Sequence, residues 1–454
     1  MTDRLRNVKP CEIQWIGTMP PHWSCRRLKH VASVALSSVD KKSHEQEEPV
    51  RLCNYVDVYY HERITSELDF MQATAAPDEV RRFTLRAGDV LITKDSEAWD
   101  DIAVPAYVPS DLDGVVCGYH LAQVRPLNGL IDGEYLSRSF AARGINDQFR
   151  VAANGITRFG IGKYWIDNSL FLVPPIDEQR AIAAFLDRET ARIDALIDKK
   201  RRQIELLHER RAALISHAVT RGLDPNAPMK DSGIAWLGQV PEAWTVVQLR
   251  RALRRIEQGW SPQCENRQAE EGEWGVLKAG CANHGRFDEG EHKALPADIE
   301  PERQYEIRLG DLLMSRACGT PTLVGSVAIV ESCRPRLLLC DKVFRLHPEP
   351  RAVDVGFLYL ALNSRTVRFQ VEQSLSGAEG LANNITQESI KGLVLALPPR
   401  AEQKSISATV RTATSKTDAV VCRVRLSIDR LREYRTALIS AAVTGQIDVR
   451  QEVA

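Results

Sequence analysis

Four charged side chains occupy matching places in the two halves of this 454-residue chain. Asp89 precedes a short apolar run that ends at Lys94, and Asp311 precedes a similar run that ends at Arg316. A metal-dependent nuclease would bind Mg²⁺ through clustered carboxylates beside such a cation. Because no second acid stands at a spacing suited to shared metal binding, we interpret the acids as turn residues. Lys94 and Arg316 are then cations at strand ends.

Other catalytic patterns are absent from the sequence. There is no GxxxxGK[ST] loop to bind the phosphates of ATP and no HExxH pair to bind zinc. The segment Phe159-Gly160-Ile161-Gly162 lacks the surrounding strand, turn and helix of a cofactor loop, and no Asn-Pro-Pro-aromatic tetrapeptide is present. The 10 cysteines lack zinc-knuckle spacing, so we interpret them as reduced thiols. We expect no catalytic residue, metal or cofactor in this chain.

The basic and amide side chains are better suited to contacts with DNA than to catalysis. Arginine can recognise guanine and asparagine can recognise adenine, whereas lysine more often binds phosphate. Each candidate also has a plain alternative, which is an ordinary solvated side chain. The candidates are Lys94, Arg158 and Lys163 in the first half, and Arg316, Asn383 and Asn384 in the second.

Composition limits how such contacts could arise. Lys plus Arg and Asp plus Glu both number 60, so the formal net charge is zero and DNA binding must come from local basic patches. The sequence has no uncharged apolar stretch of about 18 residues and no apolar region after its charged first residues. We therefore expect a cytoplasmic protein.

Four blocks recur in the same order in both halves, which indicates an internal repeat. Each copy begins with a part rich in Gly, Pro and short apolar runs, typical of a mainly β domain. The blocks are Trp15-Ile16-Gly17 with Pro20 and Trp23, and Trp236-Leu237-Gly238 with Pro241 and Trp244; the Asp89 and Asp311 turns; Pro174-Pro175 with Glu178-Gln179, and Pro398-Pro399 with Glu402-Gln403; and Ala213-Leu214-Ile215-Ser216 with Ala437-Leu438-Ile439-Ser440.

Each copy ends with a segment that predicts a long helix. The segments from Asp177 to about Ala218 and from Ala401 to about Ala442 contain no Gly or Pro, and their apolar residues recur at three- and four-residue steps. Such a stripe is typical of a coiled-coil seam, and the natural partner of each helix is its equivalent in the other copy, packed antiparallel. The predicted seam is Leu186, Ile193, Ile197, Ile204, Leu207 and Leu214 with Val410, Val421, Ile428, Leu431 and Leu438.

The predicted fold class is α+β, with two mixed, mainly β domains alternating with two long helices in a pseudo-twofold repeat. The predicted organisation is an N-terminal segment (1–19), a first β domain (20–173), a central helix (174–222), a linker with the second β domain (223–397) and a C-terminal helix (398–454). Two similar domains separated by a stiff spacer suit the reading of two DNA half-sites. Because the β domains differ in sequence, the half-sites should differ too.

The repeated strings resemble those of type I restriction-modification specificity subunits. The resemblance rests on the Pro-Pro-Ile-Asp-Glu-Gln-Arg string from Pro174, the Arg-Arg-Ala-Ala-Leu-Ile string from Arg210, the tryptophan blocks and the Gly-Asp turns, and it covers nearly the whole chain. It implies two target-recognition domains, two helices that form the spacer and bind one methyltransferase subunit in each half, and further restriction and translocase subunits. S-adenosylmethionine, ATP and Mg are then expected in those partner subunits.

Two other functions stay open at this stage. A coiled-coil scaffold or adaptor would hold proteins together without reading DNA, and a self-sufficient nuclease or methylase would act alone. DNA binding with sequence preference in the presence of the methyltransferase subunit would exclude the scaffold. Activity of the purified chain alone would be required of the enzyme.

Overall fold

The computed structural model describes residues 8–375 and 383–449, which form two compact units. Unit 1 comprises Met1–Lys200 and Arg425–Ala454, and unit 2 comprises Arg201–Val424. Both boundaries fall inside the long helices, so each unit consists of a β-rich part and portions of both helices. The predicted division instead treats each helix as a separate segment, and its limits at residues 1 and 454 lie outside the described residues. None of the described helices is long and apolar enough to span a lipid bilayer.

Unit 1 has a mixed, strand-rich part followed by the first portion of the central helix. Its helices are α1 Tyr55–Tyr60, α2 Pro77–Phe83, α3 Gly133–Ala141, α4 Arg143–Ala152, α5 Lys163–Asn168 and α6 Ile176–Arg221, the last of which continues into unit 2. Its strands are β1 Lys9–Pro10, β2 Thr18–Met19, β3 Ser24–Arg27, β4 Ala32–Leu36, β5 Glu48–Cys53, β6 Met71–Ala75, β7 Thr84–Leu85, β8 Val90–Thr93, β9 Asp95–Ser96, β10 Pro105–Tyr107, β11 Leu112–Cys117, β12 Leu121–Pro126, β13 Phe159–Gly160 and β14 Leu170–Val173.

Two four-stranded sheets form the framework of unit 1. One is antiparallel with the order β4-β12-β8-β10, and the other has the order β6-β5-β11-β7 with β5 and β11 parallel. All four residues of β8 are buried, as expected of an apolar central strand. A second group of buried aromatic residues joins α3, α4 and β14 through the stacked and edge-on rings of Phe140, Phe149 and Phe171.

Unit 2 contains the second strand-rich part and the first portion of the last long helix. Its helices are α7 Val355–Leu362, α8 Arg365–Gln373, α9 Gln387–Gly392 and α10 Arg400–Val443, the last of which continues into unit 1. Its strands are β15 Met229–Asp231, β16 Gln239–Pro241, β17 Thr245–Gln248, β18 Leu253–Gln258, β19 Gly275–Leu277, β20 His292–Ala294, β21 Leu312–Ser315, β22 Ala317–Cys318, β23 Val327–Ile329, β24 Leu337–Leu338, β25 Val343–Pro348, β26 Asn383–Asn384 and β27 Val394–Leu397.

The strands of unit 2 follow nearly the same order as those of unit 1. An antiparallel sheet has the order β18-β25-β21-β23, and a second sheet has the order β20-β19-β24 with β19 and β24 parallel. The short pairs match as well, because β17 pairs with β27 as β3 pairs with β14, and β22 pairs with β26 as β9 pairs with β13. The same order of elements is what a duplicated sequence predicts.

The long helices α6 and α10 pack against each other, as predicted, and run antiparallel. In unit 1, Arg435 near the end of α10 pairs with Asp194 near the start of α6, with Nε 3.1 Å from Oδ1. In unit 2 the roles are exchanged, and Arg211 near the end of α6 lies beside Asp418 of α10, with Nε 3.7 Å from Oδ1. The ends are set by prolines before each helix and by glycines after it, since Gly222 and Gly445 have φ of +78° and +69°.

Of the eleven residues of the predicted seam, seven are buried, three are half-buried and one, Leu214, is exposed. Leu214 is 37% exposed, whereas its neighbour Ile215 is 6% exposed and packs in the core of unit 2 with Ala218 and Val219. The prediction was wrong here because the last turns of α6 pack on the β-rich part of unit 2, which a helix–helix stripe does not anticipate. Leu186, Ile193, Ile197, Val410, Val421, Ile428 and Leu438 are buried, and Ile204, Leu207 and Leu431 are half-buried.

Candidate nucleic-acid interface

The two turn acids are parts of the β framework. Asp89 is 1% exposed, and its carboxylate accepts hydrogen bonds from Arg125 Nε at 2.7 Å and Gln123 Nε2 at 2.8 Å. Asp311 likewise accepts from Arg345 Nη1 at 2.9 Å. Both acids tie the turn to the neighbouring strand, which agrees with their interpretation as turn residues. They form no ion pair with Lys94 or Arg316.

Lys94 stands where β8 ends and β9 begins. Its N–H donates to the carbonyl of His120 at 3.1 Å, and its carbonyl accepts from the N–H of Ile161 at 2.8 Å. The half-buried side chain places Nζ 4.5 Å from the centre of the Tyr119 ring. A cation over an aromatic face is held by the ring quadrupole while its remaining donors stay free for a ligand. The side chain is therefore positioned, although it has no carboxylate partner among the described residues.

The Gly-rich loop that carries Arg158 and Lys163 lies against the segment that follows Lys94. Strand β13 pairs with β9 in a register that sets Phe159 opposite Ser96. Arg158 is exposed, but Lys163 is engaged by its own helix, with Nζ 2.6 Å from Asp167 Oδ2. The structure thus brings Lys94 and the Arg158 loop together and makes Lys163 the weaker of the three candidates.

Arg316 has the same backbone environment in unit 2. Its N–H donates to the carbonyl of Lys342 at 2.8 Å, and its carbonyl accepts from the N–H of Ile385 at 3.0 Å. Its guanidinium donates from Nη1 to the carbonyl of Asp341 at 3.1 Å and lies 5.8 Å from the centre of the Phe344 ring.

Asn383 and Asn384 occupy the counterpart of the Arg158 loop. They form β26, which pairs with the segment directly after Arg316, setting Asn384 opposite Ala317. Both asparagines are half-buried. In each unit, one strand-end cation and one late loop therefore meet in the same way.

Several residues beside Lys94 were missed by the sequence analysis. Tyr119 and His120 lie in the turn before β12, and they line a small cavity of about 170 Å³ with Asn54 and Tyr55. His120 Nδ1 is 2.9 Å from Asp95 Oδ2. Burial raises the pKa of Tyr55, while Ser96 and Arg158 act in the opposite direction. The available signal was the repeat itself, because Tyr119-His120 stands in the first copy where Asp341-Lys342 stands in the second.

Other exposed apolar and aromatic residues extend this surface along the chain. Ile156 at the loop tip is 98% exposed, and Tyr164 and Trp165 after it are 68% and 50% exposed. Large apolar side chains exposed beside cations are unusual unless they contact a partner. Together, Lys94, Tyr119, His120 and the 154–165 loop form what we call the unit 1 loop face. Its counterpart, the unit 2 loop face, consists of Arg316, Asp341, Lys342 and Asn383–Asn384.

A buried glutamine fixes the start of each long helix. Gln179 is fully buried, accepts from the N–H of Asp132 at 2.7 Å and donates to the carbonyls of Pro174 at 2.8 Å and Leu130 at 3.2 Å. Gln403 makes the same three contacts in unit 2, to Asp354, Pro398 and Ala352. The Pro-Pro and Glu-Gln blocks are therefore structural, because they join α6 and α10 rigidly to α3 and α7.

The tryptophan blocks bind the ends of the helices. In unit 1, buried Trp23 and Pro20 pack on Gly445, where a Cβ would overlap the proline ring. In unit 2, buried Trp244 packs on Gly222 at the end of α6 and donates to Glu402 Oε2 at 3.1 Å. Each unit therefore holds the start of one long helix and the end of the other.

The described residues contain no group of three or more His, Cys, Asp or Glu side chains placed to hold a metal ion. The arrangement on the two loop faces offers hydrogen-bond donors, cations and aromatic planes. Such groups bind phosphates and base edges.

Comparisons with known proteins identify one group of relatives. No protein-family model matches the chain. The specificity subunit of the type I restriction enzyme EcoEI from Escherichia coli is 27% identical over 241 residues, and that of StySPI from Salmonella potsdam is 25% identical over 275 residues. These alignments cover 53% and 61% of this chain and only 40% and 57% of the two relatives. The putative MjaX specificity subunit of Methanocaldococcus jannaschii is 22% identical over 450 residues and covers 98% of this chain and 97% of its own.

Solved structures show the same fold. A structure described as the basis of complex assembly and conformational transition of the type I R-M system has a TM-score of 0.69 at 16% identity and covers 94% of this chain and 99% of its own. The HsdS subunit from Thermoanaerobacter tengcongensis has a TM-score of 0.52 at 18% identity and covers 94% and 98%. Together with the sequence relatives, the shared fold shows that the chain is similar to type I restriction-modification specificity subunits.

Proposed function

We propose that the chain reads an asymmetric, bipartite site in double-stranded DNA, one half with each unit. The observation that carries this proposal is the pair of loop faces, which share their backbone contacts but differ in their side chains. Lys94, Tyr119 and His120 on the unit 1 loop face stand where Arg316, Asp341 and Lys342 stand on the unit 2 loop face. Two similar backbone scaffolds that carry different DNA-contacting side chains are suited to two different half-sites.

The side chains support different modes of contact in the two halves. Arg316 has donors suited to the paired acceptors of guanine, and Asn383 and Asn384 have the donor and acceptor that match adenine. Lys94 is a point charge beside an aromatic ring and suits a phosphate. We infer that Arg316 and the asparagines specify sequence, whereas Lys94 positions the duplex.

We infer that the two long helices set the spacing of the half-sites. Helix α6 has 46 residues, which corresponds to about 69 Å at 1.5 Å per residue. What supports the inference is that each helix contributes residues to both units and is anchored at both ends by the buried glutamines and tryptophans. A helix that is anchored at both ends keeps its two anchoring points at a constant distance.

The chemistry is assigned to partner subunits. In this proposal, two methyltransferase subunits bind the helical part and methylate adenines in the recognised site, and restriction and translocase subunits cleave DNA. S-adenosylmethionine, ATP and Mg would be bound by those partners, since the sequence of this chain has no loop suited to them. The chain itself then acts as a non-catalytic subunit.

A competition gel-shift tests the proposal. The chain is purified with its methyltransferase subunit and mixed with labelled duplexes from its host genome, in the presence of excess random-sequence duplex at a stated salt concentration, because the salt sets non-specific affinity. We expect a subset of duplexes to stay bound, sharing a two-part sequence. Binding without sequence preference would favour the scaffold or adaptor instead.

A further inference from the structure

Unit 2 contains a cavity that the proposed function does not use. Its volume is about 410 Å³, it is open to solvent on one side, and it is lined by α6, α7, α10 and the 285–287 and 329–332 loops. Volumes of this size hold small organic molecules. Its walls include Phe287, Tyr359 and Leu360 as well as three arginines, Arg211, Arg286 and Arg411. None of the candidate DNA contacts lines it.

The arginines of this cavity have too few carboxylate partners. Asp418 serves two of them, with Oδ2 3.1 Å from Arg286 Nη2 and Oδ1 3.7 Å from Arg211 Nε. Arg211 Nε is buried and has no hydrogen-bond partner among the described residues. Arg411 forms no ion pair within residues 8–375 and 383–449, and the other lining acid, Glu331, is exposed and equally unpaired there. Arg286 and Arg411 are exposed, whereas the buried Nε of Arg211 lacks a partner, which is costly and favours an added acceptor.

In the equivalent cavity of unit 1, carboxylates of the chain itself pair with the arginines. This cavity of about 310 Å³ contains Arg63 and Arg138, and both donate to Asp187 of α6 at 2.8 and 2.9 Å. Glu134 also pairs with Arg63, and Glu62 joins Arg138 to Arg435. Burial alone would raise the pKa of Glu62, but Arg138 and Arg435 outweigh burial and lower it.

Two of these acids are missing from unit 2. The repeat aligns Asp187 with Arg411 and Glu134 with Gly356, so one carboxylate is replaced by a cation and the other by a residue without a side chain. Asp418 is retained as the equivalent of Asp194, and Arg211 as the equivalent of Arg435. The unit 2 cavity therefore keeps Arg211 and Asp418 but has Leu360 where unit 1 has Arg138, lacks the carboxylates of Asp187 and Glu134, and is the larger of the two.

We propose that the unit 2 cavity binds a small organic anion with two or more carboxylate or phosphate groups. Arg411 and Arg211 would bind separate acidic groups of the ligand, replacing the carboxylates that Asp187 and Glu134 supply in unit 1. The apolar walls formed by Phe287 and Leu360 would contact its carbon framework.

Isothermal titration calorimetry of the full chain with citrate and with pyrophosphate tests this inference. We expect one anion to bind per chain and Arg411→Asp to weaken binding at least about tenfold, because the new carboxylate occupies the place of a ligand group. The matched control is Arg423→Asp, an exposed charge reversal on the same helix outside the cavity, which should change affinity less than about twofold. Arg411→Gln and Arg423→Gln repeat the comparison without an added acid, in case a charge reversal prevents folding.

The thermal midpoint without ligand is a second readout. Arg411→Asp should melt at a higher temperature than Arg411→Gln, since its carboxylate would join the remaining arginines of the cavity, as Asp187 joins Arg63 and Arg138 in unit 1. Failure of the wild-type chain to bind either anion, or equal weakening by the substitutions at 411 and 423, would overturn the proposal. Neither readout involves DNA, so the result is independent of the proposed reading function.

Discussion

At the scale of single residues, the acids and cations that first suggested a nuclease have separate roles. Asp89 and Asp311 are held inside the sheets by Arg125 and Arg345, whereas the cations at the ends of the same strands lie on the loop faces. A carboxylate already paired with an arginine is a poor metal ligand, because the arginine neutralises its charge. The residues worth mutating for DNA binding are therefore the strand-end cations.

Replacing the two strand-end cations should have different effects. Arg316→Ala should cost about 1–3 kcal/mol of DNA-binding free energy and relax specificity in one half-site, as expected of a base contact. Lys94→Ala should weaken binding evenly across sequences and lower the slope of log affinity against log salt by about 1, as expected of a phosphate contact. Fluorescence anisotropy on cognate and single-mismatch duplexes, over a range of salt, measures both. Arg192→Ala, an exposed arginine on α6, is the control, and the assignment fails if Arg316→Ala matches it.

At the scale of elements, the long helices were the most predictable part of the fold. The predicted segments differ by only a few residues from the observed Ile176–Arg221 and Arg400–Val443, because prolines precede and glycines follow them. The position of Leu214 was not predictable from the stripe, since the packing of that turn is decided by unit 2. The candidate site was predictable only in part. The repeat indicates Lys94 and Arg316, but Tyr119 and His120 reach Lys94 through strand pairing that periodicity does not reveal.

The buried glutamines at the helix starts can be tested by substitution. Gln179→Leu removes an acceptor for the N–H of Asp132 and a donor to two carbonyls, so it should lower the unfolding free energy by about 1–3 kcal/mol. Gln403→Leu should lower the unfolding free energy by a similar amount, because Gln403 makes the same contacts in unit 2. Gln203→Leu, at an exposed position of α6, should change stability by less than about 0.5 kcal/mol. Thermal unfolding followed by circular dichroism gives the comparison, and equal midpoints for the Gln179 and Gln203 variants would refute the anchoring role.

The packing of the two helices makes a separate prediction. Val421 is 5% exposed, so Val421→Asp would bury a carboxylate in the seam and should cost several kcal/mol. Leu426→Asp, on the same helix at a position 51% exposed, should cost little. Urea unfolding of both variants checks the difference. If the two lose the same stability, the face assigned to the seam is incorrect.

At the scale of the whole molecule, each half of the sequence supplies part of the other half's unit. Residues 425–443 of α10 complete unit 1, and residues 201–221 of α6 complete unit 2. The contacts that join each helix end to the unit come from the tryptophan blocks and from the blocks that end in Ser216 and Ser440. For example, the N–H of Arg143 donates to Ser440 Oγ at 3.1 Å, and the N–H of Arg365 donates to Ser216 Oγ at the same distance. Such exchange explains why the repeated blocks lie at the helix ends, while the loop faces are free to differ.

We propose above all that two unlike loop faces read two half-sites at a constant spacing. The most direct measurement is single-molecule sequencing of methylated adenines in DNA from cells that express this chain with its methyltransferase subunit. We expect two different short motifs joined by a spacer of constant length, and we expect methylation of both to be lost when the chain is deleted. A single continuous motif, a spacer of variable length or methylation that persists without the chain would contradict it.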